Sequence, residues 1–215
     1  MVTHYIHRGL AKKNFKENTL PGFRYSFKKK YGIETDLHST KDNQLVCFHD
    51  FNIKSKFKLN KNIKDINFSE LKRVSKKNKA EIPLLKDLLK ASKNKYSLLL
   101  EIKPIFSKNI LLNLIKLTKK IKKCGIISFK EKNIIDLYKL NKKLSLGLLF
   151  SSTADLKKIK LKSKLPHVKF LVLEKKFLSS NSLKIIKKPT FYYTIKSKRL
   201  FKKYKDNKNL IFENL

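Results

Sequence analysis

Acidic residues are scarce in this chain of 215: 16 Asp and Glu stand against 53 Lys and Arg, a formal net charge of +37. Such an excess would suit a nucleic-acid or anionic-membrane partner. The lysines, however, are spread over helix surfaces and loops with no separate basic tail, and they read as a lysine-rich compositional background. Phosphate-bearing substrates and anionic surfaces are still attracted, more weakly as salt rises. Only two cysteines occur, Cys47 and Cys124, in apolar settings without CxxC or CxH spacing. Both read as small buried hydrophobes, and no thiolate metal site is expected. With five glycines and five prolines, the chain has no Gly/Ser/Pro-rich linker, which argues one domain over residues 1–215. No apolar run approaches a bilayer span, and no charged segment followed by an apolar one marks a leader before His7, so the expectation is a soluble, cytoplasmic protein.

What is present is an alternation. Short apolar runs at Val2–His7, Ile33–Leu37, Tyr96–Ile102, Gly125–Phe129, Leu144–Phe150, Phe170–Glu174, Thr190–Ile195 and Leu210–Glu213 read as strands. Helical periods lie between them: Pro21–Lys30, Phe68–Ser75, Leu84–Ser92, Ile110–Lys123, Glu131–Leu140, Ala154–Ile159, Ser182–Lys187 and Lys198–Tyr204. Eight strands alternating with helices predict an α/β fold, a (β/α)8 TIM barrel, with a doubly wound sheet as the competitor. The placement of polar clusters favours the barrel, because His7-Arg8, Glu34 to His38 and Glu101 with Lys103 all fall at or just past strand C-termini. Gln44–His49 reads as a short extended arm, and residues 51–80, dense in Lys and Asn, as an excursion over the barrel mouth.

The clusters themselves carry chemistry. Glu34-x-Asp36 on a strand projects both carboxylates to one side. Glu101 on the next parallel strand would join them, and three crowded carboxylates call for a hard divalent cation, Mg²⁺ or Ca²⁺, held by oxygen ligands. His7 and His49, with unperturbed pKa near 6.5, suit proton acceptance from an attacking oxygen and proton donation to a departing alkoxide. Arg8 offers a bidentate grip on phosphate and Lys103 a point charge, while Glu17 either orients Arg8 or accepts from a substrate hydroxyl. Taken singly, each has a plain structural explanation; Asn18-Thr19 reads as a helix N-cap, and His38 as a local hydrogen-bonding residue.

Together the segments HRG, ENT, GIETDLHSTKDNQLVCFHD and LLLEIKP resemble the signature of the glycerophosphodiester phosphodiesterases, a barrel family related to phosphatidylinositol-specific phospholipases C. The resemblance is dense over residues 7–50 and continues through Glu101-Ile-Lys103, Ser128-Phe129 and Tyr193-Thr194-Ile195. It implies His7 and His49 as the acid/base pair, Glu34, Asp36 and Glu101 as metal ligands, and Arg8 and Lys103 at the phosphate. The implied reaction converts a small glycerophosphodiester to glycerol 3-phosphate and an alcohol, with direct water attack and a cyclic intermediate both open. Where the family carries Trp at the seventh strand this tryptophan-free chain has Tyr193, which could stack on glycerol. The family's Thr-Asp-x-Pro stands here as Phe212-Glu213-Asn214-Leu215, read as a truncated C-terminal end. Two rivals remain: a lysophospholipase D-type barrel docking on anionic lipid through Phe51, Phe57 and Phe68, and a basic nucleic-acid binder using Phe191-Tyr192-Tyr193. The intact acid/base and carboxylate set argues against the latter.

Overall fold

The computed structural model describes residues 2–215. In chain order the elements are β1 (His4–His7), α1 (Leu20–Lys28), β2 (Gly32–Ser39), β3 (Leu45–Cys47), α2 (Lys54–Phe57), α3 (Phe68–Lys77), α4 (Leu85–Ser92), β4 (Leu98–Ile102), α5 (Lys108–Thr118), β5 (Cys124–Ser128), α6 (Glu131–Leu140), β6 (Ser145–Phe150), α7 (Leu156–Ser163), β7 (Phe170–Glu174), β8 (Thr190–Ile195), α8 (Lys198–Tyr204) and β9 (Asn209–Phe212). Parallel pairing runs β1-β9-β8-β7-β6-β5-β4-β2, and β1 also pairs with β2, so the eight-stranded barrel closes. The final apolar run is sufficient for closure: β9 hydrogen-bonds to β8 on one side and β1 on the other. No helix is long and apolar enough to cross a membrane.

Strand alternation builds two cores. Outward-facing Ile6, Ile33, Leu98, Leu100 and Ile126 pack beneath helical Phe23, Leu88, Leu114 and Ile134. Inward-facing Tyr5, Leu99, Ile127, Leu149, Phe170, Val172 and Ile211 fill the lower half of the barrel. Phe170 makes glycine necessary at its neighbour: a Cβ on Gly147 would lie 2.4 Å from the Phe170 ring. One or two steps up the same inward faces the residues become His7, Glu34, Asp36 and Glu101, through the register pairs His7↔Glu34 and Asp36↔Glu101.

Three features depart from the expected elements. The arm ending at Cys47 is a true strand, β3, antiparallel to the protruding end of β2, and it returns the chain to the mouth at His49. The segment between β3 and α4 has its own apolar cluster of Ile53, Phe57, Ile63, Ile66 and Leu71, closed by Val46, Phe48, Ile82 and Leu84. The expected helix Ser182–Lys187 is instead a single 3₁₀ turn, Asn181–Leu183, preceded by another, Lys175–Ser179, directly after β7. Ser180 between them is extended, and Pro189 follows too soon for a second α-turn to propagate.

Candidate active site

The C-terminal ends of the strands surround a cavity of about 420 Å³. Of the nine residues singled out from the sequence, His7, Arg8, Glu17, Glu34, His49, Glu101, Lys103 and Tyr193 line it. Asp36, 1% exposed, sits directly behind. Its Oδ2 accepts from Asn18 Nδ2 at 3.1 Å, and Lys103 Nζ lies 3.5 Å from Oδ1. Arg8 Nε stands 3.0 Å from Asp36 Oδ2, close enough to pair charges but without hydrogen-bond alignment.

Glu34, Asp36 and Glu101 are all buried, each offering an oxygen within 4.8 Å of the others. Burial, and then the charges of Asp36 and Glu101, push the Glu34 carboxyl well above the usual range despite Arg8 and Lys103. Glu101 is pushed up to about 7 by burial and Asp36, against the pull of Lys103, whose Nζ donates to its Oε1 at 2.9 Å. Glu34 Oε2 is buried with no hydrogen-bond partner. An orphaned carboxylate oxygen facing two further acids is the donor set a hard divalent cation takes, so the residues fit such an ion.

The histidines are held alike. His7 Nδ1 is 2.5 Å from Glu213 Oε2, and its Nε2 is 3.9 Å from Glu34 Oε2. His49 Nδ1 is 2.7 Å from Asp50 Oδ1, while Asp50 Oδ2 accepts from Ser55 Oγ at 2.9 Å. Burial lowers the His49 pKa against the opposing field of Asp36. His38 has the local role expected, its Nε2 3.1 Å from the His49 carbonyl oxygen. Glu17 joins two parts of the rim: Oε2 accepts from Arg8 Nη1 at 2.8 Å and Oε1 pairs with Lys56. Burial would raise the Glu17 pKa, but Lys56 and Arg8 hold it at about 2.

Two positions of the site escape a sequence reading. Glu213 was visible only as a departure from a motif, yet it reaches from just beyond β9 to His7, 206 positions away. Burial works against its ionisation, but hydrogen bonds from His7 and Lys196 hold its pKa at about 2. Asn18 is no cap. Its side chain is buried with φ +54°, donating to Asp36 and accepting from Thr35 Oγ1 at 2.7 Å. Thr19 takes the N-cap backbone position of α1 without a side-chain capping bond, its Oγ1 donating instead to the Lys16 carbonyl at 2.9 Å. Tyr193 donates its hydroxyl to the Phe150 carbonyl at 3.1 Å, leaving its ring edge-on to Phe129. Of the three candidate rim aromatics, Phe57 is buried and Phe68 packs on the small cluster, so only Phe51 faces solvent. Tyr192 is likewise buried, and partly buried Phe191 and Tyr193 pack on the inward cluster, so the strand presents no row of free aromatic faces.

A sequence profile of the glycerophosphoryl diester phosphodiesterase family matches residues 7–187. Among curated proteins, a lysophospholipase D of Homo sapiens is 42% identical over 69 residues, covering 32% of this chain and 22% of that protein. A glycerophosphodiester phosphodiesterase of Bacillus altitudinis is 30% identical over 110 residues, covering 47% of this chain and 44% of that protein. The match thus spans less than half the length of either curated relative. A Thermotoga maritima glycerophosphodiester phosphodiesterase superposes with a TM-score of 0.82 at 21% identity, over 100% of this chain and 95% of that one. An Oleispira antarctica phosphodiesterase in complex with sn-glycerol-3-phosphate gives 0.82 at 19% identity, over 99% and 92%. These likenesses establish a shared fold.

Proposed function

The chain belongs to the glycerophosphoryl diester phosphodiesterase family, and from that premise we propose that it hydrolyses glycerophosphodiesters to glycerol 3-phosphate and an alcohol. The observation carrying this reading is the convergence of two carboxylate-anchored imidazoles, three buried acids, Arg8 and Lys103 on one cavity. The glycerol 3-phosphate bound by the Oleispira relative is a product of the proposed kind.

Each imidazole has Nδ1 engaged by a carboxylate, Glu213 for His7 and Asp50 for His49. That contact sets the tautomer and leaves Nε2 to exchange protons. One histidine takes the proton from the oxygen attacking phosphorus; the other delivers a proton to the alkoxide as its P–O bond breaks. Arg8 and Lys103 neutralise the phosphoryl oxygens, with Glu17 holding the guanidinium in place. A divalent cation held by Glu34, Asp36 and Glu101, Mg²⁺ or Ca²⁺, would polarise the phosphoryl group when bound. Tyr193, at the cavity wall, supplies an aromatic face for glycerol.

The test is release of glycerol 3-phosphate from glycerophosphocholine and its relatives, with and without chelator. No release from any member of the series at saturating divalent ion overturns the reading. A second reading, a lysophospholipase D acting on membrane-borne lysophospholipid, is supported by the Homo sapiens relative and by exposed aromatics at the mouth. Lysophosphatidylcholine as substrate, with release of choline and lysophosphatidic acid as the readout, separates the two.

A further inference from the structure

Seven large apolar side chains stand exposed among the described residues, and three of them share one face. Phe51 is 54% exposed, Ile105 56% and Phe129 42%. They follow β3, β4 and β5, and because β5, β4, β2 and β3 are successive neighbours in the sheet, their loops form one arc around the mouth. Phe129 lines the catalytic cavity, Phe51 packs edge-on against His38 at 5.0 Å, and Ile105 comes two residues after Lys103. The other four, Val2, Leu112, Leu161 and Ile185, lie singly on separate elements. Scattered exposed apolar residues need no explanation, but a cluster bordering a polar site does.

The charges beside the arc narrow the partner. Lys54, Lys108 and Lys130 are exposed on the same loops or at the starts of the helices that follow. The acids among them are already engaged: Glu17 with Arg8 and Lys56, Asp50 with His49 and Ser55, Glu213 with His7 and Lys196. Apolar tips flanked by the exposed ammonium groups of Lys54, Lys108 and Lys130 match a surface with anionic headgroups over hydrocarbon. We propose that Phe51, Ile105 and Phe129, with the lysines flanking them, form an interfacial surface that seats the barrel mouth on an anionic lipid bilayer. Seated there, the cavity meets a phosphodiester held in the membrane, the substrate of the second reading above. The surface therefore rests on the lysophospholipase D reading, but its own test requires no turnover.

With a net charge of +37, low-salt binding to anionic vesicles would prove little. The decisive measurement is co-sedimentation of the full chain with phosphatidylcholine vesicles containing phosphatidylserine, at about 0.5 M NaCl, where screening shortens charge interactions to a few Å. The expected result is that part of the protein remains bound at that salt, and that the double variant Phe51→Ser, Ile105→Ser retains at least about fivefold less. Because the chain contains no tryptophan, Ile105→Trp supplies a single reporter. Its emission should shift to the blue on adding the vesicles and be quenched by brominated acyl chains. Equal retention of wild type and double variant, or an unquenched reporter, overturns the proposal. So does complete release at high salt with equal binding to a single-stranded polynucleotide, which would mark a general polyanion surface. Turnover of glycerophosphocholine and of lysophosphatidylcholine is measured separately, so failure of the surface and failure of either reaction are told apart.

Discussion

The floor and the mouth of this barrel are built on the same inward strand faces and meet opposite fates. At the floor, Tyr5, Leu99, Ile127, Phe170 and Val172 interdigitate into an apolar plug, with Gly147 yielding space to the Phe170 ring. One or two inward positions higher, half-buried His7 and the buried Glu34, Asp36 and Glu101 take the same orientation, yet they are ionisable. The floor gains from burial. The mouth is opposed by it, which is why two of its acids are pushed up and one carboxylate oxygen is left without a partner. The difference teaches that the plug holds the strand ends in register, while the ends spend stability to keep reactive groups converged.

That contrast predicts variants that separate activity from stability. The largest effect should come from the mouth. His7→Ala and His49→Ala should each lower turnover by about 10²- to 10⁴-fold, with the melting temperature little changed; near-normal rates in either variant would remove the assignment. Phe170→Ala should do the reverse, costing about 3–5 kcal/mol of stability while residual folded enzyme keeps its kcat. Denaturant unfolding beside active-site titration checks this. Gly147→Ala, forcing the Phe170 ring aside, should destabilise by about 1–3 kcal/mol through overpacking.

Glu34→Gln tests the mouth from the other direction. It removes a buried carboxyl whose ionisation burial, Asp36 and Glu101 oppose, so the metal-free chain should melt at a higher temperature, increasingly so as rising pH ionises the wild-type group. Its activity should fall and then partly recover with excess divalent ion; an identical loss at saturating metal would count against a ligand role. The smallest effect is expected in acid. Glu213 titrates in the folded chain at about 2, below its ordinary 4.5, so its contribution to stability is present above pH 4.5 and lost as pH falls through 2. Glu213→Gln should therefore flatten the decline in stability across that window, and an unchanged acid limb would show that the pair with His7 and Lys196 contributes nothing.

Much of the site was legible because strand chemistry is local. Parity along Gly32–Ser39 aligns Glu34 with Asp36, and the apolar run before Glu101 announces a neighbouring strand end. The eight barrel strands were legible for the same reason, each a short apolar run between turn-forming residues. Asn18 was misread because a buried polar side chain and a helix cap look identical beside Leu20-Pro21 in one dimension. Phe57 and Phe68 were ambiguous because only the packing of Ile53, Ile63 and Leu71 distinguishes a rim aromatic from a core one. The 3₁₀ turn Asn181–Leu183 stands where the helix Ser182–Lys187 was expected because competing turns and Pro189 outweigh a weak period.

By itself the amino-acid order determined the alternation of strand and helix, the inward parity of the acids and the family to which the chain belongs, since all three are written in near-neighbour spacing. Only the tertiary structure decided that Glu213 anchors His7, that β9 meets β1, and that Phe51, Ile105 and Phe129 share one rim. Those are contacts between distant segments, and which distant segments meet is settled by barrel closure and by the packing that pays the entropy of bringing them together.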